Sequence, residues 1–153
     1  MIVTTRAAHE NDFEFLRASH HSAYRDVTVR QFGAWDHAQQ DEYFKASWDL
    51  GGLAVVLTDN VPCGYCQVEV RADDIHLREL VLEPRFQGRG IGTTLLRSLQ
   101  ARAAEQAIPL RLGTLLLNRA VALYERLGFR TTGRTDTLLL MEWMPGENAT
   151  GAV

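Results

Sequence analysis

The sequence predicts a mixed α/β fold whose strands pair first antiparallel and then parallel. Two stretches carry that expectation. LAVVLTDN followed by VPCGYCQVEV has the alternation and turn residues of a β-hairpin, with Asp59 and Asn60 tolerant of positive φ. The stretch from LVLEPRFQGRG to LRLGTLLL reads as strand, loop, helix, strand, the crossover that joins parallel neighbours. Composition agrees, since 153 residues with 46% apolar content and a formal charge of -3 fit one globular domain that buries its own core.

Taken in order, IVTTRA (residues 2–7) is a short first strand. Glu10, Asn11 and Asp12 then start a helix whose apolar positions run from Phe13 and Leu16 toward Tyr24. Gly33 breaks the chain, and Asp36 caps a second helix carrying Tyr43, Phe44 and Trp48. After the hairpin, RADD signals a reversal into IHLRELVL. From Gly90 to about Ala107, Ile91, Leu95, Leu96, Leu99 and Ala103 mark a helix, and Pro109 precedes a buried strand. Asn118 caps a last helix running to Leu127 and closed by Gly128, and FRTTGRTDTLLLMEWM supplies two strands around a turn at Gly133. Residues 1–144 read as a single domain, and 145–153 as a polar, disordered tail.

The absence of a basic excess argues against a nucleic-acid binder, because such a protein must neutralise several phosphates. The lack of a long apolar run or a leader-like N-terminus argues against a membrane partner and makes the cytoplasm the expected location. Cys63 and Cys66 are spaced as C-x-x-C but lie in a strand, where residues three apart face opposite sides. Two ordinary reduced thiols are expected there. His20 and His21 have no third ligand at metal spacing and read as ordinary helix residues, so no metal is expected.

The loop between the buried strand and its helix has glycines at alternate positions, Gly88, Gly90 and Gly92. Glycine lets main chain approach a ligand closely, and free N–H groups at a helix N-terminus favour an anion, so this arrangement suits a diphosphate. It lacks the Gly-Lys-Ser/Thr of a P-loop, and Thr93 stands where the dinucleotide pattern G-x-G-x-x-G needs its third glycine. Gln87-x-x-Gly90-x-Gly92 resembles the acetyl-CoA loop of the GCN5-related N-acetyltransferase (GNAT) superfamily. The resemblance implies a GNAT-type mixed antiparallel/parallel sheet of six to seven strands flanked by about four helices. It further implies cofactor contacts from the main chain of Leu80, Val81 and Leu82 and from Gln87, Gly88, Arg89, Gly90, Ile91, Gly92 and Thr93.

Downstream, NRAVALYERLGF resembles the family's second signature, in which an Asn opens a helix and a Tyr faces the cofactor sulfur. Asn118 and Tyr124 take those places, although the family's commoner spacing falls on Leu117. A phenol near the sulfur can protonate the departing thiolate as general acid. The attacking amine must also lose a proton, and Glu79 and His76 are the nearest titratable side chains on the strand that feeds the loop. Strand alternation turns the two to opposite faces. The resemblance favours Glu79, with His76 or a chain of water as the other routes.

The implied function is N-acetyl transfer from acetyl-CoA to an amine, on a small molecule or a peptide, by direct attack. The alternative is a catalytically silent acyl-CoA-binding regulatory module. Arg25, Arg30, Phe32, Trp35, Tyr43 and Trp48, in or between the first two helices, offer aromatic and charged surface for the acceptor side. Exposed strand edges leave a homodimer open.

Overall fold

The computed structural model describes residues 1–146. Residues 147–153, most of the expected disordered tail, lie outside the described residues. The strands are β1 (Val3–Ala7), β2 (Leu53–Thr58), β3 (Val61–Val70), β4 (Ile75–Leu82), β5 (Leu110–Leu115), β6 (Arg130–Arg134) and β7 (Leu138–Trp143). The helices are α1 (Phe13–Phe32), α2 (His37–Leu50), α3 (Ile91–Gln106) and α4 (Val121–Arg126), with single 3-10 turns at Glu10–Asp12 and Pro84–Phe86. The sheet has seven strands in the order β1-β2-β3-β4-β5-β7-β6, with β4 and β5 parallel and the β1/β2, β2/β3, β5/β7 and β6/β7 pairs antiparallel. This is the mixed sheet flanked by four helices that the sequence implies. No helix among the described residues is long and apolar enough to cross a membrane.

The chain forms two compact units. The first comprises Met1–Val68 and Glu79–Gly92. Its core is Leu16, Phe44, Leu53, Val55, Tyr65 and Val81, with Phe13, Phe15, Tyr24 and Trp48 packed against it. Local chemistry explains its elements. Gly33 (φ 84) ends α1 in a left-handed conformation that only glycine takes cheaply, and Asp36 accepts a hydrogen bond from Gln39 N (3.1 Å) to start α2. Asp59 (φ 48) and Asn60 (φ 66) make the tight β2–β3 turn, as expected of a hairpin. Arg6 and Asp12 pair at 2.8 Å and tie β1 to the turn that leads into α1.

The second unit comprises, among the described residues, Glu69–Arg78 and 93–146. Its buried apolar residues include Ile75, Leu77, Leu96, Leu110, Leu112, Phe129, Met141 and Trp143. Two expectations are corrected here. Gly133 is not the β6–β7 turn but lies inside β6, at a register shift between Thr131 and Gly133. The turn is made by Thr135, whose Oγ1 accepts from Thr137 N (3.2 Å) and Leu138 N (2.9 Å), a side-chain substitute for a backbone turn bond. Asn118 does not cap α4. Its Oδ1 accepts from Ala120 N (2.9 Å) in the preceding turn, and the helix begins at Val121 without a side-chain cap.

Candidate active site

The expected cofactor loop is a compact turn between β4 and α3. The parallel register of β4 with β5 covers Ile75–Leu77 against Leu110–Leu112 and stops there. Farther along β4, the carbonyl oxygen of Val81 lies so near Gly64 that a Cβ on Gly64 would stand 1.9 Å from it. That approach is open only to glycine. The Gln87 side chain donates from Nε2 to Leu82 O (2.9 Å), so it braces the loop from within. Gly88 (φ 73) and Gly90 (φ 86) both need the left-handed region. A Cβ on Gly88 would meet nothing within 4 Å, and one on Gly90 only Met1 Cε at 3.8 Å, so the space beside the loop is open to a ligand. Ile91, with buried Gly92, then begins a helix of 16 residues. Its first-turn N–H groups lack intrahelical acceptors and carry the positive end of the helix dipole. The guanidinium groups of Arg85 and Arg89 lie 4.6 and 5.5 Å from the centre of the Phe86 ring, adding two cations to the loop. Open glycines, a helix N-terminus and two arginines fit a diphosphate.

Glu79, on β4 in the same unit, is half-buried and held by three hydroxyl groups. Its Oε2 accepts from Tyr24 (3.0 Å) and Tyr65 (3.1 Å), and its Oε1 accepts from Ser47 (2.5 Å). A carboxylate offers about four lone-pair positions, so roughly one is left for another donor. Tyr65 is fully buried, and burial followed by the neighbouring Glu79 charge pushes its phenol far above the ordinary range. It therefore stays a proton donor. The residues that hold Glu79 are absent from the sequence expectation. Ser47 has no sequence signal at all, whereas Tyr24 was legible only as an apolar helix position.

In the second unit Tyr124 is buried on α4, its ring 5.7 Å from that of Phe129 in an edge-to-face contact. Burial pushes its phenol up to about 12. Asn118 donates from Nδ2 to Thr114 Oγ1 (2.8 Å), so its side chain is spent on joining β5 to the turn before α4. Thr93 is half-buried in the first turn of α3. Half-buried His76 has its pKa lowered, first by burial and then by the charges of Arg71 and Arg78, which keeps the ring neutral at pH 7.

On the acceptor side, the aromatic residues divide. Phe32 (52% exposed) and Tyr43 (53% exposed) face solvent, while Trp48 packs edge-on against Phe13 at 5.0 Å in the core. Trp35 lies against His21 (5.4 Å between rings), with Arg25 5.6 Å from its ring centre. Fold geometry brings His21, His37 and Asp41 together, with one potential ligand atom from each all within 4.8 Å of one another.

A short parallel register followed by a glycine loop at a helix N-terminus is an arrangement suited to a diphosphate held on main-chain donors. The chain belongs to the acetyltransferase (GNAT) family, whose model matches residues 15–129. Similar solved structures include the PaiA N-acetyltransferase of Thermoplasma acidophilum in complex with coenzyme A, at 17% identity and a TM-score of 0.74, covering 94% of this chain and 99% of that one. An acetyltransferase of Thermus thermophilus aligns at 18% identity and a TM-score of 0.73, covering 94% and 97%. The ribosomal-protein-S18-alanine N-acetyltransferase of Escherichia coli aligns at 19% identity and a TM-score of 0.68, covering 94% of each chain. These likenesses are of fold. No curated protein sequence matches the chain. Family membership supports acetyl transfer as the general activity.

Proposed function

We propose that this protein is a cytoplasmic N-acetyltransferase that moves the acetyl group of acetyl-CoA to an amine by direct attack. The observation that carries the reading is the loop at Gly88 and Gly90, with positive φ at both, open space beside them and the N-terminus of α3 following. Main-chain groups of Leu80, Val81 and Leu82 bind the pantetheine arm. Gly88, Arg89, Gly90, Ile91, Gly92 and Thr93 hold the pyrophosphate, with Gln87 fixing the loop. Acetyl-CoA supplies an activated acyl thioester, and the coenzyme A complex of the Thermoplasma structure is consistent with that donor.

In the transfer, the amine nitrogen forms the new C–N bond as the C–S bond breaks. Glu79 accepts the proton that the amine loses. The three hydroxyl donors fix the carboxylate in one orientation and leave it an acceptor position, which supports that role. Tyr124 gives its proton to the departing sulfur, and a phenol raised to about 12 keeps that proton at neutral pH until a thiolate develops beside it. Asn118 acts by fixing the turn that precedes α4.

The test begins with calorimetric titration of acetyl-CoA into wild type and Gly90→Glu. Saturable binding to wild type and its loss in the variant are expected, because a carboxylate at that position repels the diphosphate and strains the turn. No binding by wild type would overturn the reading. Release of free coenzyme A with a panel of amines then separates an enzyme from a silent acyl-CoA-binding module, which would bind without release. Tyr124→Phe should lower turnover by about 10²–10⁴ while leaving acetyl-CoA affinity nearly unchanged. Unchanged turnover would remove Tyr124 from the mechanism.

A further inference from the structure

We propose that His21 on α1 and His37 and Asp41 on α2 form a binding site for a transition-metal ion of the zinc class. All three residues belong to the first compact unit. His37 and Asp41 are four residues apart on α2, so they share a helix face, and His21 meets them from α1. His21 Nε2 lies 2.6 Å from Asp41 Oδ1, and His37 Nε2 lies 3.7 Å from Asp41 Oδ2. Zinc bonds to nitrogen and oxygen of about 2.0–2.2 Å put tetrahedral ligand atoms about 3.3 Å apart. One candidate ligand atom from each residue lies within 4.8 Å of the others, so side-chain shifts of about 1.5 Å complete the shell. Two imidazoles with one carboxylate select zinc, cobalt, nickel or copper over magnesium and calcium, which prefer all-oxygen shells.

The surroundings of the three residues supply the outer contacts such a site needs. A histidine that binds metal through Nε2 carries its proton on Nδ1, and His20 Nδ1 lies 3.0 Å from His21 Nδ1, placed to accept it. His20 is buried, and its ring packs against Tyr24 and Phe44, which fixes its position. Arg17 donates to Asp41 Oδ1 (2.9 Å) and orients the carboxylate, and Glu14 at 2.8 Å offsets the arginine charge. Trp35 covers one side of His21. The His37 side chain is 65% exposed, so the ion enters from solvent and keeps water in its remaining position. Binding replaces the His21–Asp41 hydrogen bond with two bonds to the ion and ties α1 to α2, the helices that carry Tyr24 and Ser47.

The test titrates purified, chelator-treated protein with ZnCl2, CoCl2 and MgCl2. One equivalent of zinc should bind and raise the thermal midpoint, cobalt should develop visible absorption, and magnesium should do neither. His37→Ala should weaken zinc binding by at least about tenfold. Its exposed position predicts an unchanged thermal midpoint in chelator, which separates ligand loss from misfolding. His37→Cys should restore binding and add a thiolate charge-transfer band with cobalt. Absence of zinc binding to wild type, or binding of equal affinity in His37→Ala, would overturn the proposal.

Discussion

Replacing Tyr65 by Phe deletes one hydroxyl from a fully buried ring and leaves its packing against Phe44 (5.8 Å between ring centres) intact. The lost group donates to Glu79 Oε2 at 3.1 Å. A hydrogen bond to an ionised partner is worth about 1.5–3 kcal/mol, and two donors remain on the carboxylate, so a cost of about 2 kcal/mol is expected in the wild-type background. In a Glu79→Gln background the same deletion removes a neutral hydrogen bond worth about 1 kcal/mol. The double-mutant cycle should therefore show a coupling of about 1 kcal/mol, read from urea unfolding followed by circular dichroism. Equal costs in the two backgrounds, within about 0.3 kcal/mol, would refute the claim that Glu79 is held as a charged acceptor. The same variants divide structure from chemistry. Glu79→Gln should lower turnover at saturating amine by about 10²–10⁴, the range of a lost general base, and Tyr65→Phe by much less. If Glu79→Gln leaves turnover unchanged, the carboxylate only supports the fold.

Two further outcomes follow from local geometry. Gly64→Ala forces a methyl group against the Val81 carbonyl oxygen, at 1.9 Å before relaxation, and this backbone partner cannot rotate aside as a side chain would. A loss of at least about 2 kcal/mol in urea unfolding is expected, and an alanine variant as stable as wild type would contradict the close approach. Asp12, paired with Arg6 and accepting from His9 N, has its pKa lowered to about 2. Because the folded value lies below the unfolded one, its contribution is complete above about pH 4 and disappears as pH falls toward 2. Screening at the partly exposed Arg6 reduces the contribution to about 1 kcal/mol. The stability difference between wild type and Asp12→Asn should accordingly shrink over that window, and a constant difference would exclude the linkage.

Legibility in the sequence followed the range of the interactions. The Asp36 cap and the Asp59-Asn60 turn depend on neighbours within a few residues, and both stand where the pattern put them. Gly133 misled because glycine serves bulges as well as turns, and Thr135 does with a hydroxyl what a glycine turn does with backbone freedom. Asn118 misled in a related way, since an Asx turn and a helix cap use the same side-chain oxygen. The donors to Glu79 could not be read at all. They come from 55, 32 and 14 residues away, and strand alternation names the face of Glu79 without naming what stands opposite. The His37 and Asp41 pair was within reach as an i, i+4 spacing on a capped helix. Its partner His21 was not, because only the α1–α2 packing brings it there.

The placement of the two cysteines bears on how turnover can be followed. Cys63 and Cys66 are both free and buried, and burial raises both thiol pKa values, that of Cys66 to about 11. A disulfide reagent reacts with exposed thiolate, so the folded protein should contribute almost no colour of its own at neutral pH. Each equivalent of chromophore formed in a continuous assay would then count a coenzyme A set free, and a slow rise in the blank would count unfolding molecules.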